Sequence, residues 1–199
     1  MTSFLTTGGI RGGKVSMEKF TPRTFNMGFR KEVFERVGGF REMYSEDIDM
    51  STRIRNAGYR IGLLPDQKVY HKRRINLQKF FRQVYVFGKS RITLHLLYPG
   101  SLKIVHFFPA VFVAGAALMC ILAIVWSWMW IIPLAVYLLA VGISAWVSSR
   151  SLRVGVLAIP ASVIQLGGYG LGFIGAFTKK ILLGRGRDIN EEIEARRGK

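Results

Sequence analysis

The chain has 199 residues, half of them hydrophobic, and 29 Lys/Arg against 12 Asp/Glu give it a formal net charge of +17. Its single cysteine excludes an intrachain disulfide framework and a thiolate metal site. No aromatic–basic RNA motif or zinc finger favours nucleic acid, and the apolar C-terminal half favours membrane lipids and phosphorylated substrates as partners instead.

A glycine-rich stretch that carries two cations lies near the start, at Thr6–Lys14. Its backbone N–H groups and Arg11 could approach phosphate oxygens, although the spacing matches neither the P-loop nor the dinucleotide fingerprint. A plain flexible segment is the alternative. Met1 is not followed by the apolar core of a signal peptide, so we expect the basic region to be cytoplasmic.

Up to residue 75 the pattern predicts alternating strands and helices. The predicted strands are 21–29, 59–64 and 68–71, and the predicted helices are 30–37 and 46–57. The first helix ends at Gly38-Gly39, next to which Phe40 is expected to fill the core. Ser45 is the predicted N-cap of the second helix, whose buried stripe is Met50, Ile54 and Ala57.

Residues 76–103 form the second predicted region, a basic amphipathic helix over 76–97 and its link to the membrane. One arc of this helix is polar and the opposite arc is apolar and aromatic, a pattern typical of a helix in the membrane interface. A helix packed in the core of the soluble domain is the alternative. Arg91 breaks the pattern because it lies within the apolar arc.

The membrane region, 104–178, contains three apolar segments that are long enough to span a bilayer, at about 104–126, 129–147 and 154–177. Arg150 and Arg153 place the second link inside. The tail, 179–199, is also basic at its start, which conflicts with three full crossings. A third segment that re-enters at Pro160 or Gly167-Gly168 would resolve the conflict, as would a topology that overrides the charge rule.

Three carboxylates stand together at residues 46–49, as Glu46, Asp47 and Asp49. A carboxylate beside a sugar's anomeric carbon can remove the proton of an attacking hydroxyl. The alternative is a well-made helix start, with acids facing the helix dipole and Asp49 paired with Arg53 four residues on.

Four motifs follow one another in a fixed order: T-F-N-M-G-F-R at 24–30, V-G-G-F at 37–40, E-D-I-D at 46–49 and F-R-Q-x-Y-x-x-G-x-x-R at 81–91. In this order they resemble the acceptor half of family 2, GT-A fold glycosyltransferases. The resemblance covers about residues 6–91. It implies an α/β partial GT-A (Rossmann-like) domain over 1–75, followed by an all-α membrane region with about three transmembrane helices.

The resemblance also implies roles for named residues. Asp47 would be the catalytic base, supported by Glu46 and Asp49. The substrate- and diphosphate-binding set would be Arg11, Asn26, Arg82, Gln83 and Arg91. His71 would approach a divalent metal, Mg or Mn, with a structural role as the alternative.

The resemblance implies an inverting, multi-pass inner-membrane enzyme of polysaccharide or glycolipid synthesis, with its glycosyltransferase portion cytoplasmic. It would use a nucleotide-sugar donor and a lipid-linked or saccharide acceptor. The 83–87 segment departs from the Gln-x-x-Arg-Trp form of processive synthases, which favours transfer of one or a few sugars. No Asp-x-Asp metal motif precedes residue 24, so we expect a fragment without the nucleotide-binding half. The alternative is a non-catalytic membrane anchor or partner protein.

Overall fold

A computed structural model describes residues 21–64, 76–184 and Ile193. The chain divides into two compact units, to which the described residues 21–64 and 76–184 respectively belong. We call them the N-terminal unit and the membrane unit, and each is described by itself.

The N-terminal unit contains one 3-10 helix, Thr24–Asn26, and two α-helices, α1 at Lys31–Val37 and α2 at Glu46–Asn56. Helix α1 ends as predicted at two glycines, Gly38 with φ 82° and Gly39 with φ 71°. Both backbones are left-handed, a conformation that costs glycine nothing, so the double glycine makes the turn possible.

Three phenylalanine rings, half-buried or exposed, cluster beside the glycine turn of this unit. Phe40 packs as predicted beside the glycine turn, with its ring centroid 5.7 Å from that of Phe29 and 6.2 Å from that of Phe34. On α2, Met50 and Ile54 of the predicted stripe are buried, whereas Ala57 is half-buried and follows the helix as its C-cap. Ser45 precedes α2, but with φ 67° and without a side-chain capping hydrogen bond.

The predicted α/β domain is wrong for the residues that the structure describes: neither 21–64 nor 76–184 contains a β-strand. Within 21–29, the Asn26 N–H donates to the Arg23 carbonyl (2.9 Å), and the Arg23 N–H donates to Asn26 Oδ1 (2.8 Å). These local bonds close a turn where the alternating phenylalanines predicted a strand.

Residues 59–64, the second predicted strand, are irregular. An extended segment needs a partner strand to satisfy its backbone, and the described residues offer none. The third predicted strand, 68–71, lies outside them.

The membrane unit is all-helical over its described length. Its α-helices are α3 at Leu77–Leu97, α4 at Phe108–Val125, α5 at Ile132–Ser149 and α6 at Leu152–Phe177. Short 3-10 helices, Ile104–His106 and Trp128–Ile131, precede α4 and α5, and a π-helical turn, Thr178–Leu182, continues α6. Three segments are long and apolar enough to cross a membrane: Phe108–Val125, Trp128–Ser149 and Leu152–Leu182. Three predicted spans are thus confirmed in length and apolarity.

Helix α6 contacts each of the other three helices through glycine. A Cβ built at Gly155 would lie 2.9 Å from the Gly142 carbonyl oxygen of α5, and one at Gly170 would lie 2.3 Å from the Pro109 carbonyl oxygen of α4. A Cβ at Gly172 would lie 2.0 Å from the Tyr85 carbonyl oxygen of α3. Such close backbone approach is how helices associate in lipid, where apolar surface gains nothing by leaving the solvent.

The helix α6 is unbroken from Leu152 to Phe177, although Pro160 and Gly167-Gly168 lie within it. The interruption that would let this segment re-enter the membrane is therefore not found.

The amphipathic helix is confirmed as α3, whose first turn is capped because Asn76 Oδ1 accepts the Gln78 N–H at 2.9 Å. Its buried positions include Val84, Gly88 and Ile92. Gly88 faces α6 so closely that a Cβ there would lie 2.1 Å from the Tyr169 carbonyl oxygen. The apolar arc thus packs on α6, and the predicted position of α3 in the membrane interface stays a prediction.

We expect Gly172→Ala to destabilise the membrane unit, because the added methyl overlaps the Tyr85 carbonyl and must push α3 away from α6. Overpacking of this kind costs about 1–3 kcal/mol, which should lower the melting temperature of the purified protein in detergent by several degrees.

Gly167→Ala is the matched control, since a Cβ at Gly167 meets nothing within 4 Å. Alanine there should be neutral or stabilising, because it favours helix over glycine by up to about 1 kcal/mol. Equal melting temperatures for the two variants would contradict the proposed packing role of Gly172.

Candidate functional site

The three carboxylates at the start of α2 each bind a different partner. The Thr24 hydroxyl donates to Glu46 Oε1 at 2.8 Å. Arg23 Nη1 donates to Asp47 Oδ2 at 2.9 Å. Asp49, which is fully buried, is paired with two arginines. The cluster is therefore three separate contacts and not one shared site.

Asp49 holds the arginine that fixes the glycine turn. Arg53 Nε donates to Asp49 Oδ2 at 2.9 Å, which confirms the predicted pair four residues apart. The same guanidinium donates to the Val37 carbonyl and, at 2.6 Å, to the Gly39 carbonyl. Arg41 Nη1 donates to Asp49 Oδ1 at 3.3 Å. Because Asp49 has no exposed surface and both of its oxygens are paired, it stabilises the fold of α1 and α2.

Asp47 is buried, but its side chain keeps a little exposure and spare hydrogen-bonding capacity. Its side chain is 10% exposed. Oδ2 accepts from Arg23 and Oδ1 accepts the Ile48 N–H at 2.9 Å. A carboxylate has about four acceptor positions, so each oxygen can take a further donor. Asp47 is thus oriented on both oxygens and can still accept a proton from a bound hydroxyl.

Asn26 supports the same site through its side chain, which binds the backbone of Arg23. Its Oδ1 accepts the Arg23 N–H, and this bond closes the turn from which Arg23 reaches Asp47. Asn26 itself is exposed. Its predicted contact with substrate stays a prediction, whereas its contact with the turn is structural.

Sequence reasoning missed Arg23 and Arg41, the partners of Asp47 and Asp49. Arg23 lies 24 positions from Asp47 and Arg41 lies eight positions from Asp49. No helical or strand spacing links such pairs. The only sequence signal for these pairs was the excess of basic over acidic residues, which gives each acid several possible basic partners.

The described carboxylates do not fit a divalent metal. Within residues 21–64 and 76–184, no group of three or more His, Cys, Asp or Glu side chains is placed to hold a metal ion. Metal ligands converge on one point, whereas Glu46, Asp47 and Asp49 are bound to separate protein groups. Arg11 and His71 lie outside the described residues.

The predicted diphosphate set on α3 does not share one face. Arg82 and Gln83 are exposed. Nine positions separate Arg82 from Arg91, and at about 100° per residue they project from opposite sides of the helix. The structure therefore does not bring these two arginines together on α3, and their predicted role stays a prediction.

Arg91 instead lies in the neighbourhood of His106. His106 is buried, and its Nδ1 accepts the Lys103 N–H at 2.9 Å. Burial above all, and then the positive charges of Arg91 and Lys103, lower the pKa of His106 from 6.5 to about 4.

The membrane unit should lose stability as the pH falls from about 6.5 towards 4. The folded state keeps His106 neutral, whereas the unfolded chain binds a proton there below pH 6.5, so acid favours unfolding. The full shift corresponds to at most about 3 kcal/mol. Melting temperatures in detergent between pH 7.5 and 4.5 measure the loss, and His106→Gln should show a flatter profile. Identical profiles would contradict this assignment.

Asp49→Asn should destabilise the N-terminal unit by about 3–5 kcal/mol, because it leaves Arg53 buried without its counter-charge. Hydrogen exchange of the backbone amides of α1 and α2 measures the effect locally. Glu35→Gln is the matched control: among the described residues Glu35 pairs with exposed Lys31 at 3.7 Å, and the substitution should cost less than about 0.5 kcal/mol. Equal protection in both variants would rule out the buried network as the main support.

Comparison with known proteins identifies the family. The sequence pattern described as "Glycosyl transferase family group 2" matches residues 13–147. The succinoglycan biosynthesis protein ExoA of Rhizobium meliloti (strain 1021) is 30% identical, over 72% of this chain and 44% of that protein. The chain thus spans less than half of the length of this relative. No solved structure matches the chain. Because the match takes in the carboxylate cluster and α3, and confirms the resemblance of the ordered motifs, this chain belongs to glycosyl transferase family group 2.

Proposed function

We propose that the protein containing this chain transfers a sugar from a nucleotide-sugar donor to a lipid-linked or saccharide acceptor, in the synthesis of a surface polysaccharide or glycolipid. Family membership supports sugar transfer. The relative's name, succinoglycan biosynthesis protein, supports a polysaccharide product. The three apolar helices support sugar transfer at a membrane, where a lipid-linked acceptor would lie.

The single observation that carries the proposal is the difference between Asp47 and its neighbours. Asp49 has no exposed surface, and its two oxygens bind Arg41 and Arg53. Within the part of the chain that the structure describes, Glu46 accepts from the exposed Thr24 hydroxyl on one oxygen. Of the three, Asp47 is the one that is fixed on both oxygens within the described residues and that keeps a small exposed fraction, 10% of its side chain. A general base needs this combination of fixed geometry and access.

In the proposed reaction, the acceptor hydroxyl attacks the anomeric carbon of the donor sugar. A new carbon–oxygen bond forms as the bond to the nucleoside diphosphate breaks, with inversion at that carbon. The hydroxyl proton passes to Asp47, and the diphosphate leaves with the electron pair. Arg23 holds the carboxylate in place at 2.9 Å.

The leaving diphosphate needs positive charge beside it. The family resemblance assigns this role to Arg82, Gln83 and Arg91 of α3, of which Arg82 and Gln83 are exposed. A requirement for Mg or Mn remains part of the proposal because a metal commonly neutralises such a leaving group. The described carboxylates do not supply its ligands.

Asp47→Asn should reduce sugar transfer by at least about 100-fold, because positioned acid–base groups contribute on the order of 10²–10⁴ in rate. Membranes of the native host that contain the protein would be incubated with radiolabelled nucleotide-sugars, and label in the lipid and polysaccharide fractions would be counted. Nucleotide binding should change little.

Glu35→Gln serves as the matched control, since it removes an exposed acid from the same unit. Its transfer rate should equal that of the wild type. Normal turnover by Asp47→Asn would contradict the assignment of Asp47 as the catalytic base. Turnover that survives complete chelation of divalent ions would remove the metal from the proposal.

A further inference from the structure

Helix α3 runs alongside the second half of α6, and the two helices point in the same direction. A Cβ built at Gly168 would lie 2.7 Å from a valine methyl of α3, and one at Gly172 would lie 2.0 Å from the Tyr85 carbonyl oxygen. Further along both helices, Lys180 Nζ donates to Thr93 Oγ1 at 3.3 Å. The contacts advance together along the two helices, so α3 covers α6 from about residue 168 to residue 180.

Helix α3 carries too much charge to lie within the hydrocarbon of a bilayer. It has Lys or Arg at four of its positions, and Lys79, Arg82 and Lys89 among them are exposed. Charged side chains at the centre of a membrane are costly and therefore rare. Because α3 lies outside the hydrocarbon, the stretch of α6 that packs along it lies outside as well.

The part of α6 that α3 leaves uncovered is too short to span a bilayer. Helix α6 begins at Leu152, so only about 16 of its residues, or ~24 Å at 1.5 Å per residue, precede the covered stretch. The hydrocarbon is about 30 Å thick and needs about 20 apolar residues, and Arg153 lies within the first turn. The other two apolar segments, Phe108–Val125 and Trp128–Ser149, contain no charged residue.

The charges of the links agree with two crossings. Arg150 and Arg153 lie at the start of α6, and Lys179-Lys180 lie at its end. The link between α4 and α5 is uncharged and holds two exposed tryptophans, Trp126 and Trp128, a residue type that is enriched at membrane interfaces.

Cytoplasmic links are rich in Lys and Arg. If α4 and α5 cross and α6 does not, all Lys and Arg of residues 76–184 lie on the side of α3, and the uncharged link with its tryptophans lies on the other side. Three crossings would instead place Lys179-Lys180 on the side opposite to α3.

We propose that α6 does not cross the membrane but lies along its surface beside α3. Its glycines receive α3, and its exposed apolar side chains, among them Val156, Leu157 and Val163, contact the acyl chains of the leaflet on that side. The chain then crosses the membrane twice, through α4 and α5, and the residues that follow α6 emerge on the side of α3. This inference does not depend on the proposed sugar transfer.

Cysteine labelling tests this topology. In a Cys120→Ser background, which removes the single cysteine of this chain, one cysteine at a time replaces an exposed residue: Gln78 on α3, Met129, Ser149 or Leu183. Native-host membrane vesicles of either orientation are treated with a membrane-impermeant maleimide. Ser149→Cys and Leu183→Cys should label in the vesicles that label Gln78→Cys, and Met129→Cys should label only in vesicles of the opposite orientation.

Position 183 separates two crossings from three. Label at Leu183→Cys in the vesicles that label Met129→Cys would overturn the proposal, because α6 would then be a third crossing. Label at Ser149→Cys on the side opposite to Gln78→Cys would also overturn it. If Leu183→Cys does not fold or does not label, an epitope tag after Lys199 carries the test. Protease should remove the tag in the vesicles that label Gln78→Cys, and protection there would overturn the proposal.

Discussion

The buried pair of Asp49 and Arg53 is the interaction on which the N-terminal unit depends. The double-glycine turn leaves the carbonyls of Val37 and Gly39 without helical partners, and the Arg53 guanidinium takes both. Such an arginine is stable in a buried position only beside a counter-charge, which Asp49 supplies. Arg53 thereby joins two of the ordered family motifs, the glycine turn at 37–40 and the acidic cluster at 46–49, into one buried network. Asp47 takes no part in this network and remains available for the proposed role of catalytic base.

Helix α6 has the same importance in the membrane unit. Its glycines admit backbone atoms of α3, α4 and α5 at distances that any side chain would forbid. Part of the motif at 81–91 is explained by this packing, since Gly88 and the Tyr85 carbonyl face α6. The motif therefore serves two purposes. It joins α3 to the membrane helices, and it presents Arg82, Gln83 and Lys89 on the surface that stays exposed.

The sequence predicted those features that depend on local periodicity. The helices of both units, the end of α1 at Gly38-Gly39 and the three apolar segments follow from spacing and composition alone. The strands predicted at 21–29 and 59–64 were wrong because alternation over 21–29 also fits a turn closed by Asn26, and strands need pairing that local pattern cannot supply. The contact of Arg23 with Asp47 depends on tertiary folding. Arg82 and Arg91 project from opposite sides of α3, as helical phase alone indicates, and their predicted role with the diphosphate stays a prediction.

The central claim is that Asp47 is a base and not merely the partner of Arg23. Chemical rescue tests it most directly. Asp47→Ala removes the carboxylate and leaves space for a small acid, so added formate should restore part of the sugar transfer in a saturable manner. Asp49→Ala should gain nothing from formate, because its defect is in the fold around Arg53. Failure of formate to rescue a folded Asp47→Ala variant that still binds nucleotide, or equal rescue of both variants, would contradict the account.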